Sequence, residues 1–230
     1  MAEERDELRE LYPFLHGGHK DPTKETAALL ESVRQKAGHS VDVKRAFFEQ
    51  NAQGVVDAAA AIAEVYRQGG RMFAIGNGGS SCDAAHFAVE FLHPITAGRP
   101  ALAAINLTAD VAMLTAVGND VSFEHIFVRQ VIAHGTKGDG LIGFSTSGNS
   151  GDLLAAYARA KVMGLTTIGL AGGDGGRMAA SPDLDHCLVV RTDSIHRVQE
   201  VHVATYHIIW DLVHTLLAAD RGNLGGEGRP

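Results

Sequence analysis

Cysteine is scarce: two thiols, Cys82 and Cys187, in 230 residues. A disulfide framework is thereby excluded, and a reducing compartment is expected. No apolar run reaches the length of a membrane span. The first residues, MAEERDELRELYPFL, are acidic and lack the basic and apolar regions of a signal peptide. Together these absences read as a cytoplasmic chain. Excess positive charge is also missing. The net charge is −7, which argues against a non-specific nucleic-acid binder. Two phosphate-handling motifs are missing too. There is no G-x-x-x-x-G-K-[ST], and in GNGGSS, from Gly76, the third position of a G-x-G-x-x-G fingerprint is Ser81. A nucleotide cofactor is therefore not expected.

What is present is an ordinary globular composition, 45% apolar and 20% charged. That fits one domain, or one domain with an accessory helical part. Residues 1–21 are polar and irregular, with HGGHKDP as a breaker cluster. Residues 22–69 carry apolar positions at helical spacing, pass through GHS, and stop at Gly69-Gly70. Short apolar runs then alternate with helical patterns. Strands are expected at 71–76, 101–106, 140–145, 165–172 and 186–191, a helix over FEHIFVRQVIAHG, and a long last helix from about Ser194 to Asp220. This alternation predicts an α/β fold: a five-stranded parallel sheet with helices on both faces, preceded by N-terminal helices.

Two turns stand out, GNGGSS at 76–81 and STSGNSG at 145–151. Both follow strands, so both fall on the edge where such sheets bind ligands. Ser145, Thr146, Ser147 and Ser150 can each donate to an oxyanion, and the following helix adds free N–H groups and the positive end of its dipole. Serine and glycine also serve plain N-caps and turns, an even alternative for one loop alone. Two such loops on one edge favour a phosphorylated small molecule. With no lysine, the loops are suited to holding a phosphate and not to cleaving an anhydride.

His86 and Glu90 are four residues apart, on one face of the helix that leaves the first loop. Such a pair does acid–base work or holds a metal, although at this spacing a solvated ion pair is the commoner outcome. The last helix crowds His196, Gln199, Glu200, His202, His207, Asp211 and His214 into an apolar run. Eight residues separate Gln199 from His207, roughly 12 Å along the axis at about 1.5 Å per residue. One ion reaches both only if the side chains lean together.

Taken together, GNGGSSCDAAHFAVEF, VGND (117–120), FSTSGNSGD, GGDGGRMA and RVQEVHVATYH resemble the sugar isomerase (SIS) domain superfamily, and within it the phosphoheptose isomerase family. The resemblance covers roughly residues 45–220. It implies an extension with a helix over 1–40, one SIS domain over 41–222, and a flexible tail over 223–230. It also implies a homotetramer with active sites between subunits. By motif, Asn77, Gly78, Gly79 and Ser80 look like the first substrate loop, Asn119 and Asp120 like sugar contacts, and Ser145, Thr146, Ser147 and Ser150 like the phosphate cradle. Glu90 and His207 look like the catalytic acid–base pair, with Gln199 near the substrate. In similar enzymes His86, Glu90, Gln199 and His207 hold a zinc ion. The implied reaction converts sedoheptulose 7-phosphate to D-glycero-D-manno-heptose 7-phosphate through a cis-enediol, with no nucleic acid or membrane as partner.

Two places depart from the family pattern. Phe91-Leu92-His93-Pro94 stands where an arginine commonly follows, and His196 stands near a usual aspartate. Both bear on the identity of the sugar. A non-enzymatic relative that binds the replication initiator DnaA keeps the phosphate loop but lacks the acidic residue and the final histidine of the site. Glu90 and His207 favour the enzyme over that scaffold. The motifs are also compatible with a sugar-phosphate-sensing module and with an isomerase of another sugar phosphate.

Overall fold

The computed structural model describes residues 22–218; the expected flexible tail at 223–230 and the irregular segment at 1–21 lie outside the described residues. Helix α1 spans Pro22–Arg67. It is followed by β1 (Met72–Gly76), α2 (Gly79–Leu92), β2 (Ala104–Asn106), α3 (Val111–Asp120), a 3-10 turn (Phe123–His125) and α4 (Val128–His134). Then come β3 (Gly140–Ser145), α5 (Gly151–Met163), β4 (Thr166–Gly172), α6 (Gly176–Ala179), β5 (His186–Val190) and α7 (Ile195–Leu216). Two units are distinguished by their internal contacts, one ending at Asp42 and one beginning at Val43. In the first, the described side chains are almost all exposed, Leu29, Leu30, Val33 and Val41 among them.

In the second unit all five strands are parallel, in the order β2-β1-β3-β4-β5. Helices cover both faces, as the strand–turn–helix alternation predicts. Within β1 the two-residue period divides the core. Met72 and Ala74 join the side chains of α1, α2 and α7, such as Ile62, Phe87 and Val201. Phe73 and Ile75 join those of α3, α4 and α5, such as Val117, Val131 and Leu153. Every residue of β1 and β3 is buried, which is why these strands read as continuous apolar runs.

Several boundaries differ from the sequence reading. Helix α1 runs through Gly38-His39-Ser40 without a break. The second strand is three residues, not six; Leu102 N–H donates to Phe91 O and so leaves the ladder. The helix expected over 123–135 splits into the 3-10 turn and α4. The last helix begins at Ile195, with the Ser194 hydroxyl accepting from Arg197 N–H, and closes at Leu216.

What matters for the site is the order around β1. Strands β2 and β3 flank it on opposite sides, so the strand order reverses there while all strands stay parallel. Gly76 at the end of β1 pairs in register with Phe144, next to the end of β3. The two glycine- and serine-rich loops are therefore neighbours.

Candidate active site

The first loop turns at Gly78, with φ +52°, and leads directly into α2. Its Asn77 side chain does not face outward. Asn77 Nδ2 donates to both carboxylate oxygens of Asp152, at 3.0 and 2.8 Å. Asp152 lies in the first turn of α5, the helix that leaves the second loop, and is buried. Burial pushes its carboxyl up, and the Asn77 hydrogen bond opposes this. Asn77, expected to meet substrate, is thus a tie between the two loops. Ser80 is buried behind them, whereas Gly78 and Gly79 are exposed. Gly79 lies in close approach to α7: a Cβ there would lie 2.2 Å from Gln199 Nε2, the far end of a flexible side chain. Gln199 of α7 accordingly sits against the first loop.

In the second loop the four hydroxyls divide their work. Ser145 is buried; its Oγ lies 3.1 Å from Ser150 Oγ and accepts from Gly148 N–H at 3.1 Å. Ser147 is exposed and its Oγ accepts from Asn149 N–H at 3.2 Å. Thr146 is half-buried. Ser145 therefore shapes the loop, while Ser147 and Thr146 reach its outer side. Gly148 has φ +65°, and a Cβ there would lie 2.0 Å from Gly175 O, so the loop after β4 packs directly on the cradle.

The chemistry gathers on α2 and α7. His86 Nε2 is 3.0 Å from Glu90 Oε1, as the i, i+4 spacing predicts. His207 Nε2 is 3.8 Å from the same oxygen, and the two imidazoles are 4.9 Å apart, nearly perpendicular. One ligand atom from each of these three residues lies within 4.8 Å of the other two. Two imidazole nitrogens and a carboxylate oxygen are a donor set that suits zinc. The trio therefore fits the metal that the sequence resemblance implies. Burial lowers the His207 pKa, His86 lowers it further and Glu90 opposes, leaving a neutral imidazole near pH 7.

Three side chains that the sequence did not single out hold this cluster. Tyr206 Oη is 2.7 Å from His86 Nδ1. Trp210 Nε1 donates to the backbone oxygen of Glu90 at 2.8 Å. The Arg99 guanidinium lies 4.3 Å over the Trp210 ring and pairs with Asp211. Asp83, one turn before His86, is buried with Oδ2 lacking a hydrogen bond, and burial pushes its carboxyl up to about 6 while His86 opposes. None of these has a signal in periodicity, since a tyrosine or tryptophan in an apolar helix reads as core.

Two other expected residues lie on a third helix, α3. Asn119 and Asp120 sit at the exposed C-terminal end of α3, where Asn119 Nδ2 donates to Asp120 Oδ1 at 2.8 Å. Among the described residues, no hydrogen bond or ion pair joins them to His86, Glu90 or His207. His196 is exposed near the start of α7.

Comparison with known proteins decides what family this architecture represents. The SIS domain model matches residues 38–172. A phosphoheptose isomerase from Roseiflexus sp. is 42% identical over 178 residues, 77% of this chain and 89% of that protein. The chain belongs to the phosphoheptose isomerase family. The enzyme of that name from Chlorobaculum tepidum is 42% identical over 193 residues, 83% of this chain and 91% of its own. Among solved structures, the phosphoheptose isomerase of Neisseria gonorrhoeae superposes with a TM-score of 0.76 at 36% identity, covering 81% of this chain and 99% of that one. The phosphoheptose isomerase of Francisella tularensis gives 0.77 at 34% identity, covering 81% and 98%. Within this family the SIS fold is shared across nearly the whole length of each relative.

Proposed function

We propose that the protein is an aldose–ketose isomerase that converts sedoheptulose 7-phosphate to D-glycero-D-manno-heptose 7-phosphate. The observation that carries this reading is the meeting of Glu90 and His207, from two different helices, beside a pair of anion-holding loops. The names of the relatives support the substrate class.

The phosphate is held at the second loop by Thr146, Ser147 and the N-terminus of α5, with Ser145 and Ser150 shaping the cradle. Gly78, Gly79 and Gln199 line the approach from the first loop. With the phosphate anchored, the carbon beside the carbonyl is presented to Glu90. Glu90 takes its proton, giving a cis-enediol, and returns it to the neighbouring carbon. His207, neutral near pH 7, has one nitrogen to give a proton and one to take it, as moving the hydroxyl proton between the two oxygens requires. His86, Glu90 and His207, with Gln199 as the fourth ligand that the resemblance implies, are the residues that would hold zinc. Zinc, when bound, supplies Lewis-acid polarisation of the substrate oxygens. A homotetramer with active sites between subunits accompanies this reading. It is supported by the apolar residues exposed near the start of α1.

The test is NMR of the reaction in deuterated water, with and without chelation. Wild type is expected to form the aldose and, as the proton held by Glu90 exchanges with solvent, to incorporate deuterium at the former carbonyl carbon that receives it. Glu90→Gln keeps the shape of the side chain but removes the base. It should lower turnover by about 100-fold or more, at the scale of a lost general base, while still binding the phosphate. Normal turnover by Glu90→Gln would sink the assignment.

A further inference from the structure

We propose that Tyr206 is a positioning residue of this site, its hydroxyl fixing both the ring plane and the tautomer of His86. This inference rests on the acid–base reading of Glu90 and His207.

Tyr206 is a rigid anchor. It is 1% exposed, and its ring meets Phe144 edge-on at 5.8 Å and His86 edge-on at 5.3 Å. The ring also packs on His207, centroid to centroid 4.9 Å, and its hydroxyl lies 2.7 Å from His86 Nδ1. The other nitrogen of the same ring, Nε2, is 3.0 Å from Glu90 Oε1. For a neutral imidazole beside an ionised Glu90, these two contacts allow one arrangement of protons. If Nδ1 carried the hydrogen, Nε2 would turn a lone pair towards a carboxylate oxygen, acceptor against acceptor. With Tyr206 Oη donating to Nδ1, Nε2–H donates to Glu90 and both contacts are satisfied. The imidazole is then held at both ends, between a buried phenol and the catalytic carboxylate.

A phenol hydroxyl both donates and accepts, so the same residue serves a second state. Were His86 to ligate a metal through Nε2, its hydrogen would sit on Nδ1 and Tyr206 Oη would be the acceptor that orients it. Groups in this position behind a histidine ligand typically change metal affinity by about 10–100-fold when removed. Adjacent residues of a helix point about 100° apart. Tyr206 and His207 therefore approach the cluster from different directions, one beneath His86 and one beside Glu90.

The experiment is Tyr206→Phe, which keeps the buried ring and removes only the hydroxyl. Tyr157→Phe is the control, because the Tyr157 hydroxyl donates to Ile168 O at 2.8 Å on the other face of the sheet. Three quantities are read on the full chain. Nitrogen-15 shifts of the His86 ring in metal-free protein report the tautomer. Zinc affinity is measured by competition with a chromophoric chelator. Turnover of sedoheptulose 7-phosphate is separated into kcat and KM. The expected result is a single Nε2–H tautomer in wild type and in Tyr157→Phe, and a mixture in Tyr206→Phe. Zinc affinity should fall about 10-fold or more in Tyr206→Phe alone, and kcat should fall with KM unchanged. An unaltered His86 nitrogen pattern together with unaltered zinc affinity would overturn the proposal. The tautomer reading needs neither substrate nor metal. Loss of the isomerase reading through Glu90→Gln and loss of this one are thus seen in separate measurements.

Discussion

His202 and Asp83 are buried titratable groups with opposite consequences. His202 is completely buried on α7; burial lowers its pKa to about 4, and the Ala171 carbonyl opposes. The folded value lies below the ordinary 6.5, so the unfolded chain binds this proton more readily. Stability from the neutral imidazole is full above about pH 6.5 and is lost as pH falls towards 4. Asp83 is shifted up to about 6, so its contribution is full below the unfolded value of 3.8 and is lost as pH rises through about 6. The two slopes oppose each other between those limits. A comparison with His202→Gln isolates the histidine. In urea unfolding at pH 7 and pH 5, wild type should lose stability relative to His202→Gln, by up to about 1.4 kcal/mol for each pH unit over which one proton is exchanged. Parallel changes in the two proteins would show that His202 does not titrate in this range.

At the level of elements, the sheet was readable because strand, turn and helix each left its own signal. Buried strands gave the apolar runs at Met72–Gly76 and Gly140–Ser145, and Gly164 with φ +79° closes α5 where the sequence placed its end. Strand β2 was read too long because Ala101 and Leu102 are apolar without joining the ladder; the Leu102 N–H goes to Phe91 O, a distinction that residue type does not make. The turn at Phe123–His125 interrupts a helical pattern because Ser122 Oγ and His125 Nδ1 meet at 2.7 Å, a local bond that competes with the helix. In the site, Glu90, His86 and His207 were legible from spacing and motif. Asn77 was legible as a loop residue but not as the partner of Asp152, since that contact joins positions 75 apart. The second loop gives an element-scale prediction. Gly148→Ala puts a side chain on left-handed backbone, costing about 1–2 kcal/mol before the contact with Gly175 O is counted. Melting should fall by about 4 °C or more, and KM for the sugar phosphate should rise. An unchanged KM would remove the second loop from the phosphate site.

On the scale of the whole molecule, α2 and α7 carry the reactive groups and the sheet edge carries the loops, so the site depends on the packing of the second unit as a whole. The proposed assembly adds a separate expectation. Sedimentation velocity of the full chain should give four times the 24.3 kDa mass of one copy. A monomer that still turns over substrate would show that one copy suffices. The exposed Leu29, Leu30 and Val33 are where charge substitution should weaken association first.

The chain has a single tryptophan, and Trp210 is hydrogen-bonded to the backbone of Glu90, the proposed base, and lies under the Arg99 cation. Its emission therefore originates from one place, within a residue of where the reaction is assigned. Fluorescence of the unlabelled protein becomes a titration signal: a sugar phosphate or zinc ion that shifts Glu90 alters the field around one indole, with no other indole to dilute the change.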